Sequence, residues 1–256
     1  MGFPPRRSVT LFTVLVAASP IGPTPVAAQP ANARVDSLFS FATPTTPGCA
    51  VAAIKDGQLL FARGYGLADI EHQVAISRQT PFYMASTSKQ FAAGAINLLA
   101  LDGKLSLDDD VRKFVPELPQ FGAPITVRHL LTHQSGLRPG IPATPAWEGT
   151  AAAIERACAE RLQQAPDSRF VYSDINFIIL GELVRIASGL RLDAYSAKEI
   201  FQPLKMADSA FVPPAAKRAR IAPTELTDGH ILRGVVHDPT TRFMDGVAGH
   251  AGLFTT

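Results

Sequence analysis

The sequence predicts an α+β fold in which an antiparallel hairpin is followed by several helices. Two strand-like apolar runs, residues 48–54 and 58–65, flank Lys55-Asp56-Gly57, and an Asp-Gly turn between such runs is typical of a β-hairpin. Later in the chain, apolar residues recur at helical spacing. With 256 residues, 46% of them hydrophobic, the chain can bury a sizeable core in one domain, or in one domain with a helical lobe.

The predicted elements follow one another in a simple order. A first helix is expected at residues 35–41, before the hairpin, and a buried helix at residues 91–101, which Asp102-Gly103 closes. Further helices are expected at residues 127–133, 151–164 and 175–187. Gly189 closes the last of them, and most prolines fall in the loops between elements.

The most informative residues are Ser86 and Lys89, just before the buried helix. A three-residue spacing on a helix places a hydroxyl and an amine on one face, as a nucleophile and its base require. A lysine removes a proton from serine only where its site lowers its pKa, so we expect Lys89 to be desolvated. Unpaired N–H groups at the helix start would stabilise an anion near Ser86. Taken alone, the pair also fits a helix-capping serine beside a solvated lysine.

Three further segments extend the pattern. They contain Thr132-His133-Gln134-Ser135-Gly136 within residues 125–137, Tyr172-Ser173-Asp174 within residues 170–177, and His250-Ala251-Gly252 within residues 246–254. Together with Ser86 to Lys89, and in this order, they resemble the serine β-lactamase and penicillin-binding-protein superfamily, specifically its class C-like branch of β-lactamase-related serine hydrolases, DD-peptidases and esterases. The resemblance runs from about residue 33 to the end. It implies a helix-flanked antiparallel sheet plus a helical lobe, with the active site in the cleft between them.

The resemblance also implies roles for individual residues. Ser86 matches the acylated nucleophile, Lys89 the proton acceptor, and Tyr172 the tyrosine that shuttles protons, although a core aromatic with a satisfied hydroxyl is the alternative for Tyr172. Asp174 matches a substrate-binding position where many relatives have asparagine, and a carboxylate cannot donate a hydrogen bond to a substrate carbonyl. Asp174 could instead pair with Lys89, which would favour the charged lysine and oppose its role as a base, or it could cap the helix that follows Ser173.

The third catalytic element of the family is Lys or His, a small residue and Gly, on an edge strand that supplies an oxyanion-hole N–H. His250-Ala251-Gly252 fits those letters, which makes His250 a candidate substrate-binding residue. In relatives, however, a similar stretch precedes a helix and the motif follows much later, which would make His250 a loop histidine. On that interpretation we expect a C-terminally shortened member of the family that lacks the last strands and one oxyanion donor.

These observations predict a serine hydrolase that forms an acyl-enzyme on Ser86. A β-lactam, a D-alanyl peptide of the cell wall and a small ester all present a suitable carbonyl, and the fold does not choose among them. Asp174 slightly favours esterase or peptidase chemistry. The alternative is a catalytically impaired or vestigial penicillin-binding-like protein that lacks the C-terminal motif.

The N-terminus predicts export to the periplasm or beyond. Arg6-Arg7, the apolar residues 9–18 and Val26-Ala27-Ala28 have the pattern of a signal peptide, which divides the chain into residues 1–28 and a hydrolase domain at residues 29–256. The apolar run is too short for a stable transmembrane helix, so no membrane span is expected after cleavage, although an uncleaved anchor is the alternative.

The resemblance implies a small-molecule or cell-wall peptide substrate as the partner, and composition excludes another class. A formal charge of +2 and no basic cluster larger than Lys217-Arg218-Ala219-Arg220 argue against nucleic acid. We expect no cofactor or metal: His129 and His133 are four residues apart with no acidic partner between them, which favours a structural role for both. Cys49 and Cys158 are expected to be buried free thiols rather than a disulfide.

Overall fold

A computed structural model describes residues 33–227 and 229–256. The predicted signal peptide, residues 1–28, lies outside the described residues. Within them, every helix is too short or too polar to cross a bilayer.

The predicted hairpin is present and follows a short first helix, α1 (Ala33–Leu38). Strands β1 (Cys49–Lys55) and β2 (Gln58–Tyr65) pair antiparallel, with a register shift near the turn. Asp56 and Gly57 form that turn with positive φ angles of 51° and 73°, a conformation that Gly adopts freely and Asp tolerates better than most residues. The Asp-Gly signal therefore located this element correctly.

The other strands are short, and each pairs with a single antiparallel partner. They are β3 (Leu67–Asp69) with β4 (Val74–Ala75), β5 (Phe82–Tyr83) with β8 (Phe254–Thr255), and β6 (Leu226–Thr227) with β7 (His230–Ile231). The antiparallel pairing agrees with the predicted class, but the described residues form four two-stranded pairs instead of one continuous sheet. The β5–β8 pair places the end of the chain beside the segment that contains Ser86.

After the hairpin, the described residues contain four predicted helices in the predicted order with adjusted ends, and three short α-helices that the sequence did not predict follow them. These helices are α2 (Lys89–Leu101), α3 (Val127–Leu131), α4 (Thr150–Cys158), α5 (Asp174–Ser188), α6 (Leu192–Ser196), α7 (Ala215–Arg218) and α8 (Pro239–Phe243). Helix α4 ends earlier than predicted because the following segment bonds to another loop, where the Gln163 N–H donates to the Gly136 carbonyl at 2.9 Å. Gly189 ends α5 in the left-handed conformation, as expected.

Helices α2 and α5 form the centre of the core. Ala92 and Ile96 of α2 and Ile179 and Leu183 of α5 are all fully buried, and α5 is apolar on nearly every side. Lys89 is the first residue of α2 and Asp174 is the first residue of α5. Packing these helices together therefore brings two charged side chains, 85 positions apart in sequence, to one place.

Candidate active site

Ser86 lies in the turn that joins strand β5 to helix α2. The preceding residue, Ala85, has a φ of 45°, so the chain reverses sharply and enters a short 3₁₀ turn, Ala85–Ser88. Two hydrogen bonds attach this turn to the segment before β8: the Met84 N–H donates to the Leu253 carbonyl at 2.8 Å, and the Leu253 N–H donates to Ser88 Oγ at 3.1 Å. Ser86 itself is exposed, so its hydroxyl is accessible to a substrate.

Lys89 is buried, with 7% of its surface exposed, as predicted for a desolvated lysine. Its Nζ donates to Ser86 Oγ at 3.0 Å, to Asp174 Oδ1 at 2.7 Å and to the His250 carbonyl at 2.9 Å. An ammonium group has three hydrogens, so these three acceptors satisfy it completely. The nucleophile and the base expected from the sequence are therefore in direct contact.

The Tyr172 ring lies against the same lysine nitrogen, with its centroid 4.8 Å from Nζ, and the Phe177 centroid is 5.6 Å from Nζ. Tyr172 is 44% exposed, and its hydroxyl makes no hydrogen bond with any residue that the structure describes. The alternative of a core aromatic with a satisfied hydroxyl is therefore wrong. The structure brings the phenol ring against Lys89, but the Tyr172 hydroxyl makes no hydrogen bond to Ser86 or Lys89.

Asp174 forms the predicted pair with Lys89 instead of the predicted helix cap. Its carboxylate binds Lys89 and does not cap helix α5, although the residue begins that helix. The Asp174 N–H donates to the Pro139 carbonyl at 2.6 Å, which fixes the backbone at this point. With its side chain 35% exposed, the carboxylate contacts both the lysine and the solvent.

His250 meets the site through its backbone and not through its ring. Its carbonyl binds Lys89, whereas its imidazole Nε2 lies 2.9 Å from Asp238 Oδ2 and 3.0 Å from Thr241 Oγ1. The residue is 2% exposed, so a substrate in the open cleft would not touch the ring. The expected substrate-binding role therefore has no side-chain contact to support it here, and the structure agrees better with the loop histidine.

Burial by itself would raise the pKa of Asp238, but hydrogen bonds from His250 and from the Thr241 N–H more than offset this and lower the pKa to about 2. A carboxylate that stays ionised in a half-buried position is a strong anchor for the imidazole. It thereby also fixes the carbonyl that His250 offers to Lys89.

His133 has the structural role that the sequence favours over metal binding, but its contact with Tyr172 is not predicted by the sequence. It is 9% exposed, its Nδ1 accepts the Ser173 N–H at 3.0 Å, and its ring centroid is 4.6 Å from that of Tyr172. Burial lowers its pKa, and the positive charge of Lys89 lowers it further. The sequence feature that could have pointed to a special role for His133 is its position in a turn marked by Gly136, where His133 has a positive φ of 58°.

Metal chemistry has little support in the described residues. A single group of possible ligands, Asp69, Glu71 and His72, lies close enough together there to hold an ion. The carboxylate of Asp69 already pairs with Arg233 and His72, and these bonds overcome the effect of burial and lower its pKa to about 2. This group is therefore better explained as an ion-pair network.

Comparison with known proteins identifies the class. The solved penicillin-binding protein homologue from Pyrococcus abyssi, an octamer, superposes with a TM-score of 0.71 at 28% identity over 88% of this chain and 53% of its own. A class C β-lactamase gives the same TM-score at 26% identity, over 87% of this chain and 59% of its own. The fold is thus of the β-lactamase and penicillin-binding-protein type, as the sequence predicted.

The sequence places the chain within that class. Residues 39–256 match the family described as Beta-lactamase, so the chain belongs to this family. It is 30% identical to a protein of Escherichia coli K12 named "Putative D-alanyl-D-alanine carboxypeptidase", over 82% of this chain and 57% of that protein. The chain therefore spans little more than half the length of this relative.

Proposed function

We propose that this chain is an exported serine hydrolase that forms an acyl-enzyme on Ser86 with an amide or ester substrate. The single observation that supports this most strongly is the 3.0 Å contact between Ser86 Oγ and the nitrogen of a buried lysine. A serine hydroxyl becomes an effective nucleophile when a neighbouring base takes its proton, and Lys89 is the amine within hydrogen-bond distance of Ser86, although its ion pair with Asp174 acts against this role.

Acylation begins when the Ser86 oxygen attacks the substrate carbonyl carbon and its proton passes to the neutral Lys89 amine. The resulting oxyanion collapses, the bond to the leaving amine or alcohol breaks, and the leaving group takes a proton from Lys89, directly or through the Tyr172 hydroxyl. A water then attacks the acyl-enzyme, gives up one proton to the same groups, and Ser86 leaves as a hydroxyl again. Acid and alcohol or amine are the only products.

The oxyanion needs hydrogen-bond donors close to Ser86. The Ser86 backbone N–H makes no hydrogen bond to an acceptor in the described part of the chain, and it lies in the turn that leads into α2. That N–H is suited to the first donor position. One donor of this kind is worth roughly a hundred- to a thousand-fold in turnover in other hydrolases.

The substrate class follows from the site and from the relatives. The name of the Escherichia coli relative supports a D-alanyl peptide, while β-lactams and small esters present the same carbonyl to Ser86. Asp174 places a carboxylate beside Lys89, and a carboxylate repels an anionic substrate and cannot donate a hydrogen bond to its carbonyl. D-alanyl peptides and penicillins carry a carboxylate, so among the three classes a neutral ester is the substrate that Asp174 repels least.

The proposal is tested with a fluorescent penicillin for labelling and a p-nitrophenyl ester for turnover. We expect the wild-type chain to react with at least one reagent and Ser86→Ala to react with neither. Thr87→Ala is the matched control, because Thr87 is an exposed neighbour in the same turn. Equal turnover by Ser86→Ala would refute the nucleophile, and a folded wild-type chain inert to both reagents would favour the vestigial alternative.

A further inference from the structure

His133 holds the segment on both sides of Tyr172. Its carbonyl accepts the Val171 N–H at 2.9 Å and its Nδ1 accepts the Ser173 N–H at 3.0 Å, so both neighbours of Tyr172 bond to one residue. Its ring packs on the tyrosine itself, with 4.6 Å between centroids and 34° between planes. These three contacts fix the backbone and the ring of Tyr172 together.

The histidine is itself held firmly. Its ring also contacts Phe177 at 5.2 Å and Phe170 at 5.6 Å between centroids, and the residue is 9% exposed. A non-glycine residue with a positive φ persists where its surroundings hold it in place, and the φ of His133 is 58°. The buried imidazole is therefore a rigid support and not a mobile surface group.

We propose that His133 is a positioning residue which holds the Tyr172 phenol over the nitrogen of Lys89. The catalytic consequence of this role rests on the function proposed above. Because the Nδ1 atom accepts a hydrogen bond, the neutral imidazole has its proton on Nε2, and a protonated ring would lose the bond to Ser173.

The charges that face the imidazole favour this neutral form. Lys89, from α2, opposes a second positive charge beside it, and burial acts in the same direction, while Asp174 at the start of α5 acts in the opposite sense but more weakly. His133 therefore keeps its Nδ1 acceptor at pH values above the ordinary pKa range of histidine.

The first test is His133→Asn, since asparagine tolerates a positive φ but has no ring to pack on Tyr172. His129→Asn is the matched control: its imidazole caps α3 through Thr126 and has no contact with Tyr172. We expect His133→Asn to lower kcat for a p-nitrophenyl ester by about 10- to 100-fold with little change in KM, the scale of a small misplacement of a catalytic group. Unchanged kcat in a folded His133→Asn variant would overturn the positioning role.

The second test does not depend on activity. In a chain labelled with ¹³Cζ-tyrosine, the Tyr172 signal, assigned with Tyr172→Phe, should shift in His133→Asn and not in His129→Asn. In the ¹⁵N-histidine-labelled wild-type chain, His133 should show an unprotonated Nδ1 at pH 8, and a protonated Nδ1 at that pH would overturn the proposal. If Ser86 proves not to be the nucleophile while these signals behave as expected, the proposed function fails, but the positioning of Tyr172 by His133 stands.

Discussion

Replacing Asp238 by asparagine tests the anchor behind the lysine. Asp238 precedes helix α8, and its Oδ2 accepts both the Thr241 N–H at 2.6 Å and the His250 ring at 2.9 Å. Asparagine caps a helix about as well as aspartate, so Asp238→Asn removes mainly the negative charge. A folded-state pKa of about 2, against an ordinary value of 3.8, corresponds to about 2 kcal/mol of folding free energy for a carboxylate with 29% of its side chain exposed.

The difference in folding stability between wild type and Asp238→Asn should depend on pH in a definite direction. Because folding lowers the pKa of Asp238, its contribution is complete above the unfolded-state pKa, near 4, and is lost as the pH falls toward the folded-state value of about 2. Urea unfolding should therefore show wild type about 2 kcal/mol more stable than Asp238→Asn at pH 7, with the gap closing between pH 4 and pH 2.

Asp56→Asn is the control for the Asp238 measurement. Asp56 is exposed in the hairpin turn, and asparagine suits its positive φ, so its stability should change by less than about 0.5 kcal/mol at either pH. Equal stability of wild type and Asp238→Asn at pH 7 would refute the anchoring argument. A gap that persists undiminished at pH 2 would show that the effect is not due to the charge.

Three further predictions concern the same region and the thiols. Asp174→Asn should raise kcat/KM for a p-nitrophenyl ester with a carboxylate in its acyl chain by about tenfold relative to the neutral ester, and an unchanged ratio would exclude charge repulsion by Asp174. Ala85→Gly should stabilise the chain by about 0.5–1 kcal/mol in urea, because glycine relieves the positive φ of 45°. In thiol titration at pH 8, the partly exposed Cys49 should react in the folded chain. Cys158 should react only after unfolding, because burial raises its pKa to about 11. Rapid reaction of both thiols in the folded chain would contradict this.

The sequence predicted the elements that have strong local signals. The Asp56-Gly57 turn fixed the hairpin, and the apolar repeat of residues 91–101 fixed α2 because that face is buried against α5. The contact between Ser86 and Lys89 was predictable for a different reason, because a three-residue spacing at a helix start depends on local geometry alone.

The rest of the site depends on contacts between distant segments. No local pattern indicates that the His250 carbonyl, and not its ring, would meet Lys89, because that orientation depends on Asp238 and Thr241. The sequence favoured a structural role for His133 but could not identify its partners, because these lie about forty positions away, at residues 170–177, and meet His133 only when the loop and α5 pack together. The early end of α4 likewise reflects a bond to Gly136 and not a weakness of its own sequence.

The three hydrogen bonds of Lys89 fit both protonation states that the proposed mechanism needs. As an ammonium, the group donates to Ser86, Asp174 and the His250 carbonyl. As a neutral amine it has two hydrogens and one lone pair, and Asp174 and the His250 carbonyl can only accept. The two hydrogens must therefore remain with those two acceptors, and the lone pair is left to face Ser86 Oγ. The contact with Ser86 thus reverses direction without movement of the lysine, which is what proton transfer from the serine requires.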